Sequence, residues 1–290
     1  MRVLLTGASG QLGAYLLDAL VARGHEVRAW TGVTEGIRGD LALRPVDLTN
    51  ADATVRQLAA DDPEVVIHAA ALSAADAVRR DPERGHALNV SATERLAHWC
   101  RARGRRLIFT STDLVFDGSR PWWRESDLPC AILEYGRTKQ AAEPAVLAVP
   151  SGLVARLSLL YGRSKCGRPG FFDRARAAMR AGQPQTFFAD EYRTPLDYVT
   201  AADILARLAA SSVTGVLHIA GRERLSRFEL MRRAAVALGL DPELVLGNRR
   251  DDVALAEPRP ADVSLDSTRL NEMFPDGKWP TIEQALAASP

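Results

Sequence analysis

In the segment EYGRTKQAAE (134–143), Tyr135 and Lys139 stand four positions apart. That is about one helical turn, so a helix here lays both side chains on one face. A phenol beside an ammonium suits proton transfer to a developing alkoxide. Opposite charge favours the phenolate, and bringing a phenol from near 10 toward neutrality needs roughly 4 kcal/mol of differential stabilisation. Ordinary helix-surface residues would spell the same letters, but lysine is scarce here. Of 37 basic residues only Lys139, Lys165 and Lys278 are lysines, and tyrosines number five. Random placement gives roughly 0.05 Tyr-x-x-x-Lys pairs. A hydroxyl to polarise a carbonyl beside the phenol is offered by Thr112, in FTSTDLVFDG (109–118), at the end of an apolar run. Ser111 is the neighbouring choice, but strand alternation points the two to opposite sides.

Reduction of a carbonyl also needs a hydride, and TGASGQLG (6–13) predicts where its carrier binds. Gly7 permits a tight turn, Gly10 admits a pyrophosphate close to the backbone, and Gly13 allows close helix–strand packing. The following helix offers free N–H groups and a positive dipole end, so Ser9, Gln11 and Leu12 join the glycines as cofactor-binding residues. An acidic residue about 20 positions on would hold the adenosine ribose and favour NAD. Here the second strand ends Val27-Arg28-Ala29-Trp30-Thr31 without one. Nothing then repels a 2′-phosphate, and Arg28 or the Thr31 hydroxyl is placed to assist it. NADP is the expected cofactor, with NAD as the alternative.

The elements that position these residues alternate. VLLTG (3–7), HEVRAWT (25–31), VVIHAAA (65–71), RLIFTST (106–112) and GLVARLSLLYG (152–162) are apolar runs separated by helical patterns. One pattern spans Pro82 to Arg103, with Gly104 after its end. Such alternation predicts an α/β fold: a Rossmann-like, doubly wound parallel sheet covered on both faces. GRSKCGRPGFF (162–172) reads as a loop and GVLHIAG (215–221) as one more sheet strand. The expected organisation is a dinucleotide-binding domain over 1–162, continued by 193–221. A smaller, discontinuous substrate lobe occupies 163–192 and 222–290.

TGxxGxxG, HAAA (68–71), Asn89 in LNVSAT, STDLVFDG and YGRTK together resemble the extended short-chain dehydrogenase/reductases. More narrowly, the chain is similar to the dTDP-4-dehydrorhamnose reductase family, whose Trp-x-Glu-Thr-Asp and Arg-Pro-x-x-Ser-x-Leu stretches are matched by Trp123–Asp127 and by RPADVSL (259–265). The resemblance implies NAD(P)H-dependent reduction of a 4-keto nucleotide sugar. Tyr135 is then the proton donor, Lys139 its modulator, Thr112 the carbonyl polariser and Asn89 the helix-kinking member of a proton relay. It implies adenine contact from Asp47 and Leu48 and cofactor contact from Ala69, Ala70 and Ala71. Leu114 and Phe116 are substrate-side candidates. Arg193 and Arg259 are candidates for a diphosphate clamp, with an ordinary salt-bridged arginine as the alternative. The chain departs from the family at Leu114, usually Tyr, at Ile132-Leu133-Glu134, and at LSAADAVRRDPE after HAAA. Glu134, beside the Tyr–Lys pair, is the first place to look for a different substrate. Asp113-Leu114 also lacks the second acid that related sugar dehydratases place there.

The remaining composition is restrictive. Net charge is +1 and charged residues are 25%, giving no broad grip on nucleic acid or anionic membrane. The apolar N-terminal stretch is too short for a signal segment and no run of 18 apolar residues exists, so no membrane span is expected. Cys100, Cys130 and Cys166 form no disulfide framework, which points to a reducing cytoplasm. His98-Trp99-Cys100 has no second ligand pair, and no metal is expected. The resemblance carries a homodimer as an expectation. Two competing readings are an epimerase of the same superfamily, which shows no net redox change, and a non-catalytic NADP-binding regulatory subunit.

Overall fold

A run buried on both faces belongs inside a covered sheet, and β1 (Arg2–Thr6) is one: Val3 and Leu5 pack into one apolar cluster, Leu4 into another. The computed structural model describes residues 1–275, 277 and 279–288. After β1 come β2 (Glu26–Thr31), β3 (Gly36–Arg38), β4 (Leu41–Pro45), β5 (Val65–His68), β6 (Arg106–Thr112) and β7 (Gly152–Leu157). Short strands follow: β8 (Leu160–Tyr161), β9 (Gln185–Phe188), β10 (Tyr192–Arg193), β11 (Leu196–Asp197), β12 (Gly215–Ile219), β13 (Leu225–Ser226) and β14 (Val245–Asn248). The helices are α1 (Gln11–Ala22), α2 (Ala51–Asp61), α3 (Ala75–Arg80), α4 (Pro82–His86), α5 (Ala92–Arg103), α6 (Glu134–Leu147), α7 (Phe171–Arg180), α8 (Tyr198–Ala209), α9 (Arg227–Ala237), α10 (Thr268–Met273) and α11 (Ile282–Ala287).

The eight-stranded sheet runs β12-β7-β6-β5-β1-β2-β4-β3, parallel throughout except for the antiparallel edge strand β3. Strand order reverses at β1, so the crevice past its carboxyl end is where such sheets bind ligands. Tyr15 and Leu16 of α1 and Ala201 and Leu205 of α8 cover one face. Leu58 of α2, Leu96 and Trp99 of α5 and Val146 of α6 cover the other. The β3–β4 hairpin has no counterpart in the sequence expectation. Its residues are largely exposed at the sheet edge and carry no apolar run. The helix expected from Pro82 to Arg103 is interrupted by a wider π turn over Ala87–Ser91 and then capped by Gly104 at φ 61°.

A further cluster draws Tyr161, Phe172 and Met179 together with Leu230, Met231, Val245, Ile282 and Leu286. It is joined by the parallel β9–β14 pair. Asp276, Lys278, Ser289 and Pro290, within the expected lobe, lie outside the described residues. Trp123 fastens this part to the loop before α6. It stacks on Phe116 at 4.4 Å, its Nε1 donates to the Asp262 carbonyl at 3.0 Å, and its N–H donates to the Ser264 carbonyl at 2.8 Å. The Trp123 and RPADVSL motifs therefore meet as packing.

Candidate active site

The turn between β1 and α1 is fitted to its neighbours at the backbone. Gly7 has φ +72°, and a Cβ there would lie 2.7 Å from the Ala70 nitrogen. A Cβ on Gly13 would lie 2.1 Å from the Gly7 carbonyl oxygen. Gly10 caps α1 without a side-chain acceptor, leaving first-turn N–H groups for an anion. A cleft of about 1220 Å³ opens above this turn. Its wall includes Gly7, Ser9, Gly10, Gln11, Leu12 and Gly13, then Thr31, Asp47 and Leu48, then Ala69, Ala70 and Ala71, and finally Thr112, Tyr135 and Lys139. These dimensions and the glycine cradle fit a dinucleotide whose phosphates lie at the α1 N-terminus. Asp47 holds Thr49 through that residue's N–H (2.9 Å) and hydroxyl (2.7 Å), and these bonds keep its carboxyl below the usual range.

Arg28 corrects the expectation for the 2′-phosphate. It is ion-paired with Glu26 and forms no part of the cleft wall. It stands three residues before the end of β2, about 10 Å below the crevice at 3.3 Å per residue. Thr31 does line the cleft, with its hydroxyl donating to the Thr34 carbonyl.

At the other end, Thr112 closes β6. Its hydroxyl donates to Asp113 Oδ1 at 3.2 Å and accepts from the Leu114 N–H at 3.2 Å. Ser111 instead donates to Glu143 Oε1 at 2.6 Å. Tyr135 has its phenol pushed above the ordinary value by burial and then by the Asp113 charge. The lowering expected from an adjacent ammonium is not what the protein shows, since burial and Asp113 both raise the phenol. Lys139, 1% exposed, sits over the Phe109 ring at 4.1 Å. Burial draws its pKa down to about 7, opposed by Glu143 one turn on. Glu143 is held by Arg156 at 3.0 and 2.7 Å, and both are nearly inaccessible.

Asn89 is fully buried in the π turn and is not in the cleft wall. Its side chain accepts from the Leu72 N–H at 2.8 Å and donates to the Leu72 carbonyl at 3.1 Å and to Thr138 Oγ1 at 2.9 Å. Thr138 in turn donates to the Tyr135 carbonyl at 2.8 Å. Asn89 thereby ties the Ala69–Leu72 wall to the tyrosine's helix. His68, unassigned by sequence reasoning, does related work. The Thr93 hydroxyl gives its proton to the Asn89 carbonyl (2.8 Å), so His68 Nε2 must donate to Thr93 Oγ1 (3.1 Å). Burial holds the imidazole neutral, with a pKa of about 3. Nδ1 therefore accepts from Thr6 (2.7 Å), whose oxygen accepts from the Ala70 N–H (3.2 Å). A histidine at a buried strand end was the available signal.

A smaller cavity of about 290 Å³ adjoins the large one. Thr112, Asp113, Leu114, Tyr135, Arg193, Arg227 and Arg259 are in its wall. Arg193 is buried and donates to Asp113 Oδ1 (2.7 Å) and Glu191 Oε1 (2.9 Å). Arg227 and Arg259 stand 3.8 and 4.0 Å from Glu191. Arg227 escaped sequence reasoning because nothing local marks an arginine at a helix start. Phe116 is not brought to either cavity; it is core, packed with Trp123, Val263 and Leu265. Glu134 also lies outside both walls, ion-paired with Arg137 on its own helix.

The family model described as RmlD substrate binding domain matches residues 1–289. The chain is 34% identical to dTDP-4-dehydrorhamnose reductase of Mycolicibacterium smegmatis, over 99% of this chain and 85% of that protein. It is 30% identical to methionine adenosyltransferase 2 subunit beta of Pongo abelii, over 94% and 82%. The crystal structure of dTDP-4-dehydrorhamnose reductase from Bacillus anthracis in complex with NADP superposes with a TM-score of 0.85 at 23% identity, covering 99% of this chain and 97% of that one. An eight-stranded sheet with the glycine turn at its switch point, and a family match over almost every residue, lead to one statement. The chain belongs to the RmlD substrate binding domain family of extended short-chain dehydrogenase/reductase-like proteins.

Proposed function

We propose that this protein is an NADPH-dependent oxidoreductase that reduces the keto group of a nucleotide sugar, with Tyr135 as proton donor. A dihydronicotinamide held in this cleft would supply the hydride for the new C–H bond at the carbonyl carbon. The carbonyl π pair then passes to oxygen, and Tyr135 gives that oxygen its phenolic proton, leaving an alcohol and a phenolate. Lys139 stabilises the phenolate through its charge. Thr112 turns its hydroxyl from Asp113 to the carbonyl oxygen. That move leaves Asp113 satisfied, since Arg193 and Ser158 also donate to it, at 2.7 and 3.0 Å. The phenol's raised pKa suits a donor that must enter the reaction protonated. The observation that carries this reading is that Thr112, Tyr135 and Lys139 share one wall with the phosphate loop.

NADPH is preferred to NADH because β2 ends Val27-Arg28-Ala29-Trp30-Thr31, with no carboxylate at that end to hold an unphosphorylated ribose. The nucleotide-sugar assignment draws on the relation to dTDP-4-dehydrorhamnose reductase and on the arginine-lined smaller cavity beside Tyr135. We read the chain as a dinucleotide domain with a discontinuous substrate lobe, supported by the separate apolar cluster of Phe172, Leu230 and Ile282. The relation to methionine adenosyltransferase 2 subunit beta favours a second reading, a dinucleotide-binding regulatory subunit. Incubation with NADPH and dTDP-4-keto-6-deoxyhexose separates the two. Stoichiometric loss of dihydronicotinamide absorbance, abolished in Tyr135→Phe, supports reduction. No turnover across a panel of keto nucleotide sugars, together with capture of a stoichiometric protein partner, supports the regulatory reading.

A further inference from the structure

Among the described residues the large cleft's wall carries three basic side chains, Arg84, Lys139 and Arg168. Lys139 stands at the reacting end, and Arg84 is close enough to Asp47 to help lower that carboxyl. Arg168 alone stands at the phosphate loop. It belongs to the strap 162–170, which lies along α1. The Tyr15 hydroxyl donates to the Arg163 carbonyl (2.7 Å), Lys165 Nζ pairs with Asp18 (2.9 Å), and Arg38 donates to the Lys165 carbonyl (2.9 Å). Arg168 Nη2 donates to the Ser9 carbonyl at 2.8 Å, and the Arg168 carbonyl accepts from Gln11 Nε2 at 2.6 Å.

Besides that bond to Ser9 the guanidinium reaches the Cys166 thiol, and no carboxylate among the described residues pairs with it, so several of its five donors stay open. The acids packed against the strap are occupied: Asp18 by Lys165 and Arg38, Asp173 by the Ser164 and Gly170 N–H groups at 3.0 and 2.9 Å. Gln11 Oε1, beside it, is buried without a hydrogen-bond partner. The position of Ser9 fixes what Arg168 faces. The adjoining Ala8 N–H donates to the Trp30 carbonyl at 2.9 Å, so this side of the loop abuts the end of β2, where the adenosine ribose of a dinucleotide lies in such folds. The pyrophosphate already has the α1 N-terminus. A guanidinium with open donors at the β2 end suits a further phosphate.

We propose that Arg168 is the residue that reads the cofactor's 2′-phosphate and sets the preference for NADP over NAD, the role that Arg28 does not reach. This rests on the dinucleotide reading of the cleft, and calorimetric titration of NADPH and NADH separates the two claims. Losing a charge-assisted hydrogen bond costs about 1.5–3 kcal/mol, or roughly 10–100-fold. In Arg168→Ala, NADPH binding weakens by that factor while NADH binding changes less than about 3-fold. Arg168→Lys recovers part of the loss, and unfolding midpoints without nucleotide stay level. Lys165→Ala, which loosens the strap but removes no cleft cation, leaves the NADPH-to-NADH ratio unchanged. Equal weakening of both nucleotides in Arg168→Ala assigns the residue to the pyrophosphate or to strap integrity and overturns the inference. No change in either does the same. A wild-type protein that binds neither nucleotide overturns the dinucleotide reading itself, and this inference with it.

Discussion

Lys139→Met should make the protein more stable while abolishing its chemistry. The lysine is 1% exposed and its ammonium rests over Phe109. Burial draws its pKa from 10.5 to about 7, a displacement worth several kcal/mol. Glu143 offsets part of this through its charge. Replacing a buried ion by an apolar residue of similar volume stabilises by about 1–4 kcal/mol, and methionine keeps favourable contact with the ring. We therefore expect a gain of about 2–4 kcal/mol in the protein free of nucleotide. The sign of its pH dependence follows. Below about pH 7 the wild-type lysine is charged in both folded and unfolded chains, and the gain is complete. Between about 7 and 10.5 the folded lysine is neutral and the unfolded one still charged, so the gain shrinks as pH rises. Urea unfolding of both proteins from about pH 6 to about pH 10 measures this. A variant less stable than wild type near pH 6, or a gain that does not fall with pH, refutes the reasoning.

Asn89→Ala removes three bonds of a fully buried side chain and strands the Leu72 backbone; denaturant unfolding should show a loss of about 2–4 kcal/mol. Gly13→Ala drives a Cβ to 2.1 Å from the Gly7 carbonyl oxygen; the loop must shift, and titration should show NADPH affinity reduced more than about 10-fold. Glu143→Gln leaves Arg156 buried without its counter-charge, and urea unfolding should report a loss of about 3–5 kcal/mol.

The main sheet was legible because its strands are buried on both faces, so an apolar run marks each without ambiguity. The β3–β4 hairpin was not, because an exposed edge places no such demand on side chains. Strand alternation made it legible that Ser111 and Thr112 take different partners, although both line the cleft. The partner of Thr112 is the adjacent Asp113, whereas that of Ser111 is Glu143 on α6, which no local pattern announces. Arg28 shows how a residue type misleads when depth is ignored, since three residues from a strand's end is too deep for the crevice. Arg168 lies in a loop whose path along α1 is set by tertiary contacts from Tyr15, Asp18 and Arg38. The Asn89–Thr93–His68–Thr6–Ala70 chain draws on residues from Thr6 to Thr93 in the sequence, and only folding brings it together.

The central claim is that hydride from NADPH and a proton from Tyr135 are added across a keto group of a nucleotide sugar. Single turnover with dihydronicotinamide deuterated at its transferred position, followed by mass spectrometry of the sugar product, tests it directly. The account predicts one deuterium per product molecule on the former carbonyl carbon with wild-type protein, and no product with Tyr135→Phe. Unlabelled product, or undiminished labelled product from the phenylalanine variant, would contradict it.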